Sequence, residues 1–388
     1  MKLFFYSHYF APSIGGVETV VLSLARGLAE LRAPNGLPEF DLTLITETPA
    51  EDFDDRILPF RVIRRPSRSL LLSMIRSSDI IHLAGPALSP LLLGLLARKP
   101  VVVEHHGFQT ICPTGQLLIE PMSTPCPGHF MAGRYNECLR CRSNNDWRAS
   151  WKLLLSTFVR RFLCSRVAAN IMPTEWLGEL LHLPNAVSIP HGIESRARAP
   201  ESPRSSSLPL IVFQGRIVTT KGLPILFEAA RILRSENRVF ELLVIGDGPE
   251  RLASEALAKK LEISSVVRFV GRIAAADIDT SFANANIVVV PSLAGEVFGL
   301  VLAENMSRGL PVVASNGGSF AEVLGDAGLT FSVGNAMELA RQIARLLDDP
   351  ALASHLSGRA RARISEWYTR SKMIELHAQL YQRLCNGK

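Results

Sequence analysis

The sequence predicts an α/β chain built from two doubly wound parallel-sheet (Rossmann-like) domains. Three observations carry this expectation. Short apolar runs rich in Val, Ile and Leu alternate with helical patterns, which is how a parallel sheet covered on both faces reads. A polar stretch at 195–208, SRARAPESPRSSSL, has linker composition, and the alternation restarts beyond it. A chain of 388 residues is also long enough to bury two separate cores.

Taken in order, Lys2–Tyr6 reads as a strand, followed by a loop holding Gly15-Gly16 and a helix from about Val17 to Leu31. Further buried strands are expected at Asp41–Thr46, Arg61–Arg64, Ile80–Leu83, Val101–Glu104 and Ala168–Met172. After the linker, a second sheet is expected from Leu210–Gln214, Glu241–Ile245, Val266–Val270, Ile287–Val290, Pro311–Ala314 and Leu329–Phe331. Helices at Leu223–Ser235, Pro249–Leu261 and Met337–Asp348 lie between them, and one long C-terminal helix runs from about Ala351. The domains are therefore expected at 1–194 and 209–365, joined by the linker 195–208. A C-terminal helix at 366–388 follows, with packing back onto the first domain as one option. In such folds ligands sit beyond the carboxyl ends of the strands, here expected in a cleft between the domains.

The mean hydropathy of +0.18 is high, so a membrane span has to be considered. The stretch from Ile80 to Ala97 carries no formal charge but is broken by His82, Pro86 and Pro90. A span needs about 20 mostly apolar residues in one helix, so none is expected. The run from Leu3 to Tyr6 is too short for a signal peptide, which points to a cytoplasmic protein. The net charge of +6 invites a nucleic-acid reading, but the excess is shared between the halves rather than gathered in a tail. Locally, six Arg and no acid lie between Arg56 and Arg76, and eight bases face Glu137 and Asp146 between Arg134 and Arg166. Tyr135, Trp147, Trp151 and Phe158 interleave with the second run. That mixture suits an anionic membrane surface or a phosphate-bearing acceptor, and equally a solvated helix face.

Glycine-rich turns follow strands at Gly15-Gly16, Gly215-Arg216, Gly246-Asp247-Gly248 and Gly317-Gly318. None completes a dinucleotide fingerprint and no phosphate-loop motif is present, which disfavours a nicotinamide enzyme or a nucleotidase of that type. Arg216 and Lys221 flank a loop between a strand and a helix, where two cations make a site for a diphosphate. Further on, a strand ends at Pro291, a loop carries Glu296, and a helix begins near Phe298 with Glu304 inside it. Amides at such a helix start receive anionic oxygens, and carboxylates accept from sugar hydroxyls.

Together these features resemble glycosyltransferase family 4 of the GT-B fold, two Rossmann-like domains facing across a cleft. The matching motifs run in family order across nearly the whole chain. They are Gly15-Gly16-Val17-Glu18, Glu104-His105-His106-Gly107, Pro190-His191-Gly192-Ile193, Gly215-Arg216 with Lys221-Gly222, Gly246-Asp247-Gly248-Pro249, and Glu296-x7-Glu304. The resemblance implies that Arg216 and Lys221 neutralise a nucleotide diphosphate, aided by the helix start at Phe298, Gly299 and Leu300. It implies that Glu304 takes the ribose hydroxyls and Glu296 those of the donor sugar. Gly15 and Gly16 would let the first loop approach the donor phosphate, the base would lie near Gly271, Arg272 and Ile273, and His106 would face the transferred sugar. His105 is expected to be structural. The implied chemistry is retaining transfer from a nucleoside-diphosphate sugar to a hydroxyl of a glycan or lipid-linked acceptor, without a catalytic metal. A sugar-nucleotide epimerase of the same fold, or a non-catalytic sugar-nucleotide-binding subunit, are the alternatives. Asp277-Ile278-Asp279 is read as helix capping rather than a metal motif.

Four of the six cysteines, Cys112, Cys126, Cys138 and Cys141, fall in an irregular insertion at about 108–147. Four thiols there suit a structural zinc site, with free thiols, disulfides or an iron–sulfur cluster as the other readings.

Overall fold

In the computed structural model, which describes residues 1–142, 146–196, 208–274 and 277–386, the chain divides into two units. The first comprises Met1–Leu117, Pro127–Gly192 and Tyr368–Lys388; the second comprises Leu118–Cys126 and Ile193–Trp367. Most of the 195–208 linker, and residues 143–145 of the insertion, lie outside the described residues.

Strands of the first half are β1 (Lys2–Ser7), β2 (Asp41–Thr46), β3 (Arg61–Arg64), β4 (Ile80–Ala84), β5 (Val101–Glu104), β6 (Leu118–Ile119), β7 (Thr124–Pro125), β8 (Ala169–Met172) and β9 (Ala186–Ser188). All but β6 and β7 form one parallel sheet in the order β3-β2-β1-β4-β5-β8-β9. The helices around it are α1 (Gly16–Glu30), α2 (Arg68–Ser77), α3 (Leu88–Leu96), α4 (Tyr135–Arg140), α5 (Trp147–Cys164) and α6 (Glu175–Leu181). The central strands are buried throughout, as in Val101–Val103 and Phe4-Phe5, because helices cover both faces.

The second unit repeats the design with β10 (Leu210–Gln214), β11 (Glu241–Ile245), β12 (Val267–Gly271), β13 (Ile287–Val290), β14 (Val312–Ser315) and β15 (Leu329–Phe331). They pair in parallel in the order β12-β11-β10-β13-β14-β15. Its helices are α7 (Leu223–Ser235), α8 (Arg251–Lys260), α9 (Ile278–Ser281), α10 (Leu300–Ser307), α11 (Phe320–Leu324), α12 (Ala336–Asp348) and α13 (Pro350–Trp367). Helix α7 buries Leu223, Leu226, Phe227, Ala230 and Leu233 at helical spacing, and α12 lays Leu339, Ala340 and Ile343 into the same core. The chain ends in α14 (Arg370–Asn386), which groups with the first unit.

Three sequence expectations change. The long C-terminal helix is two helices, broken at Tyr368-Thr369, because Thr369 Oγ1 accepts from the Lys372 amide at 3.3 Å and caps a new start. Strand β9 was not anticipated; its three residues are half-exposed or exposed and give no buried run. The insertion, which shows no periodicity in sequence, contains α4 and the start of α5, where Asp146 Oδ1 accepts from the Ala149 amide at 3.0 Å. Within the first unit α14 lies close on α1: a Cβ at Gly27 would come 2.0 Å from Ile374 Cδ1, and Arg370 Nε donates to Ser23 Oγ at 3.1 Å.

Gly246 shows how tightly the second unit's loops are set. Its φ is +132°, and a Cβ there would sit 1.9 Å from the Gly215 carbonyl oxygen. By contrast Gly358, in the exposed middle of α13, faces open space. Gly246→Ala is therefore expected to lower stability by about 2–4 kcal/mol, whereas Gly358→Ala should raise it by about 0.5–1 kcal/mol. Thermal unfolding of the two variants, read beside the parent, checks both signs.

Candidate functional site

In the second unit three loops leave the carboxyl ends of β10, β11 and β13, beside the point where strand order reverses. Backbone contacts lock them together. Gly222 (φ +66°) lies where a Cβ would be 2.0 Å from the Pro291 oxygen, and Gly248 where one would be 2.2 Å from the Ile217 oxygen. The Leu293 amide donates to the Thr220 carbonyl at 2.8 Å. This registration brings Lys221 Nζ into an ion pair with Glu296 Oε1. Ser292 Oγ donates to the same carboxylate oxygen at 2.9 Å, and Ser319 Oγ to the Glu296 carbonyl at 3.3 Å. Arg216 stands exposed in the β10 loop.

Helix α10 starts at Leu300, two residues later than the sequence suggests, because Gly299 caps it in the left-handed region at φ +91°. Phe298 is only 1% exposed, so its side chain belongs to the core. The first amides of α10 have no partner inside the helix. Glu304, half-buried about one turn further on, makes no side-chain hydrogen bond among the described residues. Burial raises its carboxyl above the ordinary range, with Arg308 and Arg196 opposing. Gly271 (φ +73°) ends β12, its carbonyl accepting from the Gly246 amide at 2.7 Å; Arg272 beyond it is exposed and Ile273 half-buried.

An ionic brace built on one buried arginine adjoins α10. Arg308, 1% exposed, donates from Nε to Asp279 Oδ1 at 2.8 Å and stacks on Phe282, with Cζ 4.8 Å from the ring centroid. Arg196 Nη1 reaches both oxygens of Asp279 at 3.2 Å. Arg308 also donates to Asn305 Oδ1 at 3.2 Å, and Asn305 Nδ2 donates to Gln214 Oε1 at 3.1 Å. The capping role expected of Asp277 and Asp279 does not hold: Asp277 precedes α9 without a side-chain cap bond, and Asp279 serves the two arginines.

In the first unit Gly15 and Gly16 open α1. Gly15 is extended at φ −174°, and a Cβ there would come 2.5 Å from Glu18 Oε2. At the end of β5 the sequence Glu104-His105-His106 turns into the interior. His105 Nε2 pairs with Asn170 Oδ1 at 2.9 Å, and burial pushes its pKa down to about 4. Glu104 is fully buried and is surrounded by His82 Nε2 at 3.2 Å, His106 Nε2 at 3.5 Å, His377 Nε2 at 3.8 Å and His191 Nδ1 at 3.3 Å. Burial alone would raise its carboxyl; the imidazoles around it, His106 foremost, hold it well below the ordinary range. His106 stacks on His191, with ring centroids 5.1 Å apart.

Of the four insertion cysteines, Cys112, Cys138 and Cys141 are buried and group with the first unit, and Cys126 is half-buried and groups with the second. Among the described residues, the groups that bring three potential ligand atoms within 4.8 Å are His82/Glu104/His377 and Glu104/His106/His191.

Residues 195–363 match the family described as glycosyl transferases group 1. The match takes in every loop of the second unit's site. Over 212 residues the chain is 30% identical to a phosphatidyl-myo-inositol mannosyltransferase of Mycolicibacterium smegmatis, covering 53% of this chain and 54% of that protein. Over 356 residues it is 27% identical to a GDP-mannose-dependent alpha-(1-6)-phosphatidylinositol monomannoside mannosyltransferase of the same organism, covering 84% and 86%. The match to the first of these spans about half of that protein's length. Among solved structures, sucrose-phosphate synthase from Thermosynechococcus elongatus aligns over 100% of both chains with a TM-score of 0.75 at 19% identity, so the fold is GT-B.

Within the group 1 region, sequence reading found Arg216, Lys221, Glu296 and Glu304 but missed Arg308 and Asp279, whose pairing only the packing of α9 on α10 reveals. Removing one partner of a pair whose cation is buried leaves that charge uncompensated. Asp279→Ala is accordingly expected to cost about 3 kcal/mol of stability, measured by urea unfolding with an unchanged slope.

Proposed function

We propose that this chain is a retaining glycosyltransferase that moves a sugar from a nucleoside-diphosphate sugar to a hydroxyl of a glycan or lipid-linked acceptor in cell-surface glycolipid or polysaccharide synthesis. The observation that carries the reading is the pairing of two features in the group 1 region. One is a cationic loop, Arg216 and Lys221, set against Glu296; the other is a half-buried Glu304 carboxylate with no donor of its own. The first supplies charge for a diphosphate and the second an acceptor for ribose hydroxyls. The relatives named as mannosyltransferases, one of them GDP-mannose-dependent, support the donor class and a glycolipid acceptor.

In this reading Arg216, Lys221 and the first amides of α10 hold the diphosphate. As the bond between the anomeric carbon and the phosphate oxygen lengthens, negative charge grows on that oxygen and the cations stabilise it. Lys221 exchanges its Glu296 partner for phosphate, leaving Glu296 to accept from the donor sugar. The acceptor hydroxyl then attacks on the same face and passes its proton to a diphosphate oxygen. The cations do the work a divalent ion would otherwise do, so the transfer step needs no metal. Gly15 and Gly16 admit the donor phosphate, the segment Gly271, Arg272 and Ile273 borders the base, and His106 faces the transferred sugar. Arg216→Ala or Lys221→Ala is expected to lower kcat by about 10²- to 10³-fold while the fold persists. The check is acceptor-dependent nucleoside-diphosphate release from a panel of nucleotide sugars. Near-parental rates, or an altered sugar formed without acceptor, overturn the assignment.

Attachment to the cytoplasmic face of a membrane is part of the proposal. Helix α5 exposes Trp147, Trp151, Leu155, Phe158, Val159 and Phe162, spaced so that they share one stripe, with Arg148 and Lys152 beside them. Among the described residues no helix is long and apolar enough to cross a membrane, so binding would be peripheral. Co-sedimentation with phosphatidylglycerol vesicles at low salt should be strong for the parent and fall at least about tenfold for Trp151→Glu with Phe162→Glu. A parent that stays in the supernatant refutes it.

A further inference from the structure

We infer that His82, Glu104 and His377 form a structural site for a divalent transition metal of the zinc class, buried in the first unit. The starting point is a conflict between two acceptors. His377 Nδ1–H donates to the Met373 carbonyl at 2.8 Å, and a carbonyl can only accept. In the neutral ring this leaves a lone pair on Nε2, which points at Glu104 Oε2, itself a pure acceptor, 3.8 Å away. Both atoms are fully buried and neither has a hydrogen-bond partner. Facing lone pairs in a dry interior repel one another unless a cation stands between them.

For the third ligand, His82 Nδ1 is hydrogen-bonded to Tyr381 Oη at 2.7 Å, and Nε2 lies 3.2 Å from Glu104 Oε2. With the tyrosyl oxygen accepting from Nδ1–H, Nε2 offers its lone pair to an ion. Metal-bound histidines are commonly oriented through the far ring nitrogen by a carbonyl, carboxylate or other polar partner, and both rings here have such a partner in place. The three ligand atoms lie within 4.8 Å of one another. Bonds of about 2.0–2.1 Å to a tetrahedral ion need separations near 3.3 Å, so closure asks for shifts of well under 2 Å. On the other side of the carboxylate, His191 Nδ1 lies 3.3 Å from Oε1, while His106 Nε2 lies 3.5 Å from Oε2. Two imidazoles and one carboxylate select zinc or a neighbouring first-row ion over magnesium or calcium. The ion pairs of Glu104 among the described residues are with histidines, so no lysine or arginine there already supplies the positive charge.

The inference does not rest on the proposed transfer chemistry, and its failure would leave the glycosyltransferase reading untouched. The test is elemental analysis of the full-length protein as purified without added metal, followed by chelation in mild denaturant and reconstitution with Co²⁺. Roughly one zinc-class ion per chain is expected, with a fall in thermal midpoint on removal. The Co²⁺ form should show visible ligand-field bands without thiolate charge-transfer absorption. His377→Gln and His82→Gln should each lower the bound ion at least tenfold, while Cys138→Ser should leave it unchanged. If the histidine variants fail to fold, the parent's ion content and Co²⁺ spectrum decide alone. Protein that is metal-free as isolated and takes up no Co²⁺ overturns the inference. So does an ion lost with Cys138→Ser and kept with His377→Gln.

Discussion

Three backbone carbonyls, those of Gly215, Ile217 and Pro291, occupy the space that a side chain at residues 246, 248 and 222 would need. The second unit's site depends on this constraint. Because the loops after β10, β11 and β13 meet main chain against main chain at these three glycines, their separation there is set by atomic radii rather than by rotamers. Lys221 and Glu296, 75 positions apart in the chain, therefore meet without either having to search for the other. The same packing delivers Gly299 at the angle that opens α10, and with it the amides and Glu304.

Both units place acidic side chains at the carboxyl ends of parallel strands, yet they treat the charge in opposite ways. Glu296 and Glu304 stay partly accessible and lie near cations, so water or a ligand can exchange with what they touch. Glu104 is sealed from solvent and ringed by imidazoles. A low dielectric magnifies every interaction of such a group, favourable or not, which makes its surroundings the more exacting of the two. Behind α10, Arg308 follows an intermediate course: it is buried, yet satisfied by Asp279, Asn305 and the face of Phe282.

What was legible in the sequence follows from range. Strands such as Val101–Glu104 and Ile287–Val290 announce themselves because burial on both faces forces continuous apolar runs. The Arg216 to Glu304 motifs are visible because each lies in one short segment. The features missed are those made by distant segments or by weak local signals. Nothing in the neighbourhood of His82 or His377 hints that Glu104 lies beside both, and Tyr381 reads as an ordinary helix aromatic. Asp279 looks like a cap until the packing of α10 supplies Arg308. The split between α13 and α14 rests on one threonine hydroxyl, a signal that periodicity cannot register against two flanking helical stretches.

The way α14 completes the first unit bears on how the chain is made. All seven strands of that sheet and all of α1 leave the ribosome long before His377 and Tyr381 exist, and residues 193–367 of the second unit are synthesised in between. Until the final helix arrives, Gly27 on α1 has no helix against it and His82 lacks the hydroxyl that orients it. The first unit to emerge is thus the last to be finished. A chain truncated a few turns early would have a complete second unit and an open first one, the kind of half-built product that chaperones and proteases recognise.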